Sequence, residues 1–88
     1  MKIKNMASRN GKGKAPNQFE IELNNGDRIF QSYDTVIATI SNGKVMLDTK
    51  SWDYSVTTSR YRNQFLGEKK ADTVRKIKSR EYTLANLN

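Results

Sequence analysis

Two pairs of apolar segments, each joined by a short turn that contains Asn and Gly, constrain this chain more than any other feature of its sequence. Residues 19–23 (FEIEL) alternate apolar side chains with glutamate, which is the two-residue period of a half-buried strand. Residues 24–27 (NNGD) supply the positive-φ positions of a tight turn into a return strand over residues 28–33. Asn42-Gly43 fits a two-residue type I′ turn between two further strands. The pattern predicts an antiparallel meander.

A different pattern follows in the second half of the chain. Thr57 or Thr58 can cap a helix that runs to about residue 66, and Gly67 is placed to end it in the left-handed conformation. A second helix is predicted over residues 69–80, with Lys69 and Lys76 opposite its narrow apolar stripe. The predicted stripe consists of Ala71, Val74 and Ile77.

These elements predict an α+β fold: a small antiparallel sheet of three to five strands with one or two helices (residues 57–80) packed on one face. The residues expected to supply most of the core are Phe19, Ile21, Leu23, Val36, Ile40, Val45, Leu47, Trp52, Phe65, Leu66, Val74 and Ile77.

The N-terminal segment has little to bury. Residues 1–16 carry five basic residues and no acid. Residues 7–17 contain Gly11, Gly13 and Pro16 but no large apolar side chain, so they are expected to resist regular structure. We predict a flexible basic arm over residues 1–17, with a short edge strand as an option for its first six residues. The 88 residues then leave one domain, 18–88.

Catalysis is poorly supported by the residue types present. The chain has no histidine and no cysteine, so the most common general base and the thiol nucleophile are both missing. Asp48 and Asp53 bracket Trp52, but two carboxylates without a third ligand are more typical of turns. We therefore predict a protein that is not an enzyme, with no catalytic residues, no metal site and no cofactor.

The distribution of charge favours an anionic partner. The formal net charge is +7, and residues 60–80 carry eight bases against two acids. The candidate partner-binding residues are Lys12, Lys14, Arg60, Arg62, Lys69, Lys70, Arg75, Lys76, Lys78 and Arg80. The alternative is a solvated basic surface that serves only solubility. Tyr54, Tyr61 and Phe65 lie near these bases and could stack on nucleic-acid bases, but a chain this poor in apolar residues has more use for aromatic side chains in its core.

The stretch from Trp52 to the C-terminus resembles an uncharacterised family of short proteins from bacteriophages, prophages and plasmids. The residues that carry the resemblance are Trp52-Asp53-Tyr54-Ser55, Thr57-Thr58, Tyr61-Arg62-Asn63, Phe65-Leu66-Gly67-Glu68, Lys76-Ile77-Lys78, Glu81-Tyr82 and Asn86-Leu87-Asn88. The similarity covers residues from about 16 to the end. Family members have Gly where this chain has Arg80, which puts a tight turn before Tyr82 in doubt. The resemblance implies a phage-type accessory product with no assigned chemistry.

The sequence therefore leaves two main hypotheses for the function. The first is a non-catalytic binder of nucleic acid or a nucleoprotein complex, acting through the basic surface. The alternative is a protein-binding inhibitor of a host defence nuclease, similar to anti-CRISPR proteins; a homodimeric structural or regulatory protein is third. No segment has the apolar core of a signal peptide or approaches the ~18 apolar residues of a membrane span. We expect the cytoplasm of a bacterial host and no membrane partner.

Overall fold

The strands follow one another across the sheet in sequence order. A computed structural model describes residues 1–88 as one six-stranded sheet with two helices on one face, so the predicted α+β class is confirmed. The strands are β1 (Lys2–Ala7), β2 (Lys14–Glu22), β3 (Arg28–Ser32), β4 (Thr35–Ser41), β5 (Lys44–Asp48) and β6 (Thr83–Ala85), and the helices are α1 (Val56–Leu66) and α2 (Lys70–Lys78). All neighbouring strands are antiparallel except β5 and β6.

The two predicted hairpins are both present. Asn42 and Gly43 have φ values of 52° and 77° between β4 and β5, which is the positive φ at both central positions that a type I′ turn requires. Gly26 has a φ of 92° in the turn between β2 and β3. The turn chemistry of Asn and Gly therefore set the register of this part of the sheet.

The N-terminal segment differs from the predicted arm. Lys2–Ala7 pairs with Lys14–Glu22 as a hairpin, and the backbone N–H of Ser8 donates to the carbonyl of Gly13 at 2.9 Å to close the turn. Ala15 is buried, and its carbonyl accepts a hydrogen bond from Asn5. The segment needs no large side chain to enter the sheet, because strand pairing satisfies its backbone groups.

The helices begin and end at residues that suit those positions. Ser55, rather than Thr57 or Thr58, caps α1, and its Oγ accepts from the backbone N–H of Thr58 at 3.0 Å. Gly67 ends α1 with a φ of 70°, as predicted. The tight turn after α2 also forms, because Arg80 takes a φ of 66° where glycine would be unstrained.

Strand pairing assigns each residue of the sheet to one of two faces, because directly paired residues point to the same side. The inner face packs against the helices and includes the paired row Lys4–Glu20–Phe30–Ala38–Leu47. The outer face includes the rows Ile3–Ile21–Ile29–Thr39–Met46 and Asn5–Phe19–Gln31–Val36. The core beneath the helices consists of Met6, Phe30, Ile37, Ala38, Leu47, Phe65 and Tyr82.

The predicted core was wrong in β2. Phe19 and Ile21 lie on the outer face, whereas the inner positions of this strand are Gln18, Glu20 and Glu22. Of the twelve residues predicted for the core, Leu47 and Phe65 are buried; a further five pack against the core at its edge, namely Ile40, Val45, Trp52, Leu66 and Ile77. The alternation was recognised correctly, but alternation alone does not say which face meets the helices.

The stripe predicted for α2 also needs correction. Ala71 is exposed, and Thr73 is the one fully buried residue of this helix. Lys76 lies on the side of the helix that faces the sheet, where its ammonium group pairs with the carboxylate of Glu68. Neither helix combines the length and apolar character of a membrane span.

Candidate nucleic-acid interface

Ion pairs divide the basic residues into two groups. Five of the sixteen bases pair with an acid, namely Arg28, Arg62, Lys70, Arg75 and Lys76. The bases that form no ion pair are Lys2, Lys4, Arg9, Lys12, Lys14, Lys44, Lys50, Arg60, Lys69, Lys78 and Arg80, and all of them are exposed. Six of the ten predicted partner-binding residues are in this second group. The charge of these side chains is available to an anionic partner.

Arg62 does not belong to the predicted surface, because its side chain is completely buried. Its guanidinium donates to the carbonyl of Trp52 at 2.6 Å, to Asp53 Oδ1 at 3.1 Å and to Asn63 Oδ1 at 3.0 Å. The same group lies 5.2 Å from the ring centre of Trp52. Arg62 therefore ties the loop before α1 to the body of that helix, which is a structural role.

Lys76 and Arg75 also differ from the prediction. The Lys76 ammonium donates to Glu68 Oε1 at 2.8 Å, and the Tyr82 hydroxyl donates to the same oxygen at 2.7 Å. The hydrogen bond to Glu68 raises the pKa of Lys76. Burial raises the pKa of Glu68, but hydrogen bonds from Lys76, Thr73 and Tyr82 outweigh it and lower that pKa overall. Arg75 pairs with Asp72 on the exposed side of α2, so both bases have an acid partner.

A first groove lies between the β1–β2 hairpin and α1. It has a volume of about 550 Å³, and Lys4, Lys14 and Gln64 contribute to its lining together with Glu20. The charge of Glu20 is already met by Arg28, which donates two hydrogen bonds to it at 2.9 and 3.2 Å. The groove therefore presents two ammonium groups that form no ion pair, beside the side-chain amides of Asn5 and Gln64.

Two hydrogen bonds hold the hairpin turn against α1 and so set the shape of this groove. The Gln64 side chain donates to the carbonyl of Ala7 at 3.0 Å. The backbone N–H of Arg9 donates to the hydroxyl of Tyr61 at 3.3 Å. Lys12 lies in the same turn. Lys4 and Arg9 were not among the predicted site residues, although the alternation of Lys2 and Lys4 around Ile3 was a usable signal.

A second groove, about 450 Å³ in volume, lies on the opposite flank of α1, near its N-terminus. Tyr54, Arg60 and Lys70 line it, and half of the Tyr54 side chain is exposed (52%). At its base, burial raises the pKa of Asp53, but hydrogen bonds from Lys70, Ser59 and Arg62 lower it to about 2. Arg60 forms no ion pair, and the Lys70 side chain is still 56% exposed beside Asp53.

The remaining candidates do not share this location. Lys78 and Arg80 lie at the C-terminal end of α2, about 12 Å of helix rise from Lys70. Lys69 precedes α2, and its backbone N–H donates to Asp72. The structure therefore brings together Lys4, Lys14, Tyr54, Arg60 and Lys70 around α1, with Lys12 in the adjoining turn. We call this set the α1 surface.

No group of three or more carboxylates that could hold a metal ion is present. Comparisons with curated proteins and with solved structures gave no match. A family model, described as a family of unknown function (DUF8033), matches residues 1–82 and so covers nearly the whole chain. The chain is therefore a member of the DUF8033 family.

Proposed function

We propose that this protein binds single-stranded nucleic acid, free or within a nucleoprotein complex, through the α1 surface. The observation that supports the proposal most is the second groove, where the half-exposed ring of Tyr54 lies in the same hollow as Arg60 and Lys70. Single strands are bound by such combinations, because the bases stack on aromatic rings while cations neutralise the backbone phosphates.

The position of the two grooves supports the same proposal. They lie on either flank of α1, so a strand that crossed this helix would meet Lys4 and Lys14 on one side and Arg60 and Lys70 on the other. In addition, the first turn of α1 contains no acidic residue. The positive dipole end of the helix therefore favours a phosphate there.

The proposed role is binding rather than catalysis, since the chain offers neither histidine nor cysteine. The resemblance of residues 52–88 to phage, prophage and plasmid proteins supports an accessory role. In this proposal the protein acts in the cytoplasm of a bacterial host, on the nucleic acid or nucleoprotein complexes of that cell.

Fluorescence anisotropy with labelled oligonucleotides of about 15 nucleotides tests the proposal, since this length spans the site sizes of small single-strand binders. We expect single strands to bind more tightly than duplexes. Each phosphate neutralised should add about −0.7 to the slope of log affinity against log salt. The three bases around α1 that form no ion pair, Lys4, Lys14 and Arg60, should then give a slope of about −2. Affinity no tighter than millimolar at low salt would rule the proposal out.

Two variants with matched charge reversals distinguish binding at the α1 surface from a general effect of net charge. Lys14→Glu with Arg60→Glu should weaken binding by more than about tenfold, because two phosphate contacts become repulsive. Lys78→Glu with Arg80→Glu makes the same change in net charge at the far end of α2 and should cost less than about threefold. Equal losses in the two variants would show that only net charge matters. Tyr54→Ala should weaken binding to single strands, because stacking on one ring contributes about 1–3 kcal/mol.

The alternative function is a protein-binding inhibitor of a host defence nuclease, similar to anti-CRISPR proteins. The observation that favours it is the first groove, which contains Lys4 and Lys14 but no aromatic side chain. Such a groove suits the carboxylates of a protein as well as phosphates. An inhibitor of this kind would ignore free oligonucleotides and bind its nuclease with a shallow salt dependence, which the same titrations measure.

A further inference from the structure

The outer face of the sheet is largely apolar, and within the chain only the C-terminal residues reach its corner, where Asn88 bonds the backbone of Val36 and the N–H of Leu87 donates to Asp48. Its longer row, Ile3–Ile21–Ile29–Thr39–Met46, crosses five strands. Ile3 is 59% exposed, and the other members are half-buried by their neighbours in the sheet. None of these residues, nor Phe19 or Val36 of the second row, packs against the core beneath the helices. The face is therefore open to a partner.

The amphipathic pattern of the first two strands also indicates that the outer face contacts a partner. In β2 the apolar residues Phe19 and Ile21 face outward, whereas Gln18 and Glu20 face the helices. In β1 the row partner Ile3 also faces outward. A sheet covered only by its own helices has the reverse arrangement, with the polar residues outside. A contiguous apolar face of this kind is typical of an interaction surface.

The absence of charge in the outer rows indicates which kind of partner this face can bind. Neither outer row contains an ionisable side chain, although 28% of the chain is charged. Nucleic acid and anionic lipid surfaces both require cations beside the contact. Two copies of a chain with a net charge of +7 repel each other, and the outer rows add no charge to the contact, although exposed Lys44 borders them two residues from Met46 on the same face.

We propose that the outer face binds a second copy of this chain, so that two sheets pack face to face with the helices on the outside. Sheets in such sandwiches lie about 10 Å apart. Five strands, each about 4.8 Å wide, and five residues along them give a projected area of about 400 Å². This is about half of the roughly 800 Å² per partner of a standard interface, so we expect a weak, reversible dimer.

The dimer would direct two α1 surfaces away from its centre. A two-fold axis through the outer face leaves both helical layers exposed, so each copy keeps its own pair of grooves. This inference does not depend on nucleic-acid binding, since no base of the α1 surface belongs to either outer row, although Asn5 of the second row also lines the first groove.

Sedimentation equilibrium of the nuclease-treated protein tests the inference at about 1–100 µM, a range that reveals concentration-dependent association. We expect a mass of twice the 10.1 kDa of the chain. The dimer should persist at about 1 M NaCl, where charge is screened over about 3 Å and phosphate bridging is lost. A monomer throughout this range would overturn the inference, even if oligonucleotides bind.

Two variants test whether the dimer contact lies on the outer face. Ile21→Lys should raise the dimer dissociation constant by at least about tenfold, because a buried unpaired charge is costly. Ile3→Lys, at an exposed edge position, should act in the same direction with little risk to folding. Ala71→Lys adds the same charge on exposed α2 and should leave the constant within about twofold. Circular dichroism checks that each variant is folded. A dimer unchanged by both isoleucine variants would place the contact elsewhere and overturn the inference.

Discussion

Arg60 and Arg62 lie two residues apart on α1, and their substitution should have opposite consequences. Arg60 is exposed and forms no ion pair, whereas the Arg62 side chain is completely buried. We expect Arg62→Ala to destabilise the fold strongly, and Arg60→Ala to leave stability unchanged while weakening phosphate binding. The two substitutions remove the same side chain, so the difference measures the environment alone.

The size of the Arg62 effect follows from its partners. Removing the guanidinium leaves the carbonyl of Trp52 without its donor at 2.6 Å and ends the contact with the Trp52 ring. An unpaired buried carbonyl costs about 1–3 kcal/mol, and the loss of the packed stem adds a cavity. Asp53 is not stranded, because Ser59 and Lys70 still donate to it and a quarter of its side chain is exposed. The lost packing and the unpaired carbonyl together lead us to expect a loss of about 3–5 kcal/mol.

Such a loss is large for a chain of this length. At about 0.05–0.15 kcal/mol per residue, 88 residues have a stability of about 4–13 kcal/mol. Urea unfolding followed by Trp52 fluorescence measures the change, with far-ultraviolet circular dichroism as a second probe. Arg60→Ala should stay within about 0.5 kcal/mol of the natural sequence, as exposed substitutions do. An Arg62→Ala midpoint equal to that of Arg60→Ala would refute the structural role of Arg62.

Two further predictions concern stability. Neither amide atom of buried Gln18 has a hydrogen-bond partner in the protein, so Gln18→Leu should raise the free energy of unfolding by about 1–3 kcal/mol in urea titrations; a loss of stability would contradict this. The folded-state pKa of Asp53 is lowered from 3.8 to about 2, so its contribution is fully present above about pH 4 and is lost as the pH falls toward 2. Asp53→Asn should flatten the loss of melting temperature over that interval, and an unchanged acid profile would show that other carboxylates control it.

Local signals in the sequence were sufficient for the elements of the fold. The Asn42-Gly43 turn and the end of α1 at Gly67 were predicted from residue type, because these positions require positive φ and few residues adopt it without strain. The first hairpin was missed as a hairpin for the opposite reason. Its turn over residues 8–13 has no apolar flank to mark it, and its strands are held by backbone pairing.

The basic surface was only partly predictable. Whether a basic side chain stays free or forms an ion pair depends on which residues lie next to it in the folded chain. Arg62 meets Asp53 and Lys76 meets Glu68 through the packing of loops and helices, and both pairs span eight or nine residues. Arg60, Lys14 and Lys12 instead stay exposed and form no ion pair, because the acids near Arg60 and Lys14 are taken by other bases. A count of bases along the chain gives the sign of the surface, whereas the tertiary contacts decide which bases remain free.

The outward position of Phe19 and Ile21 also depends on tertiary contacts, and it bears on whether two copies of the chain form a dimer. Alternation with Glu20 and Glu22 predicts a strand with one apolar face, and the monomer alone would be expected to turn that face toward its helices. The structure instead uses Phe30, Ala38 and Leu47 of the central strands for this purpose. Since the apolar residues of β2 are not needed by the core, the alternation of this strand is explained most simply by a contact outside the chain. A face-to-face dimer supplies that contact and leaves the α1 surface of each copy free.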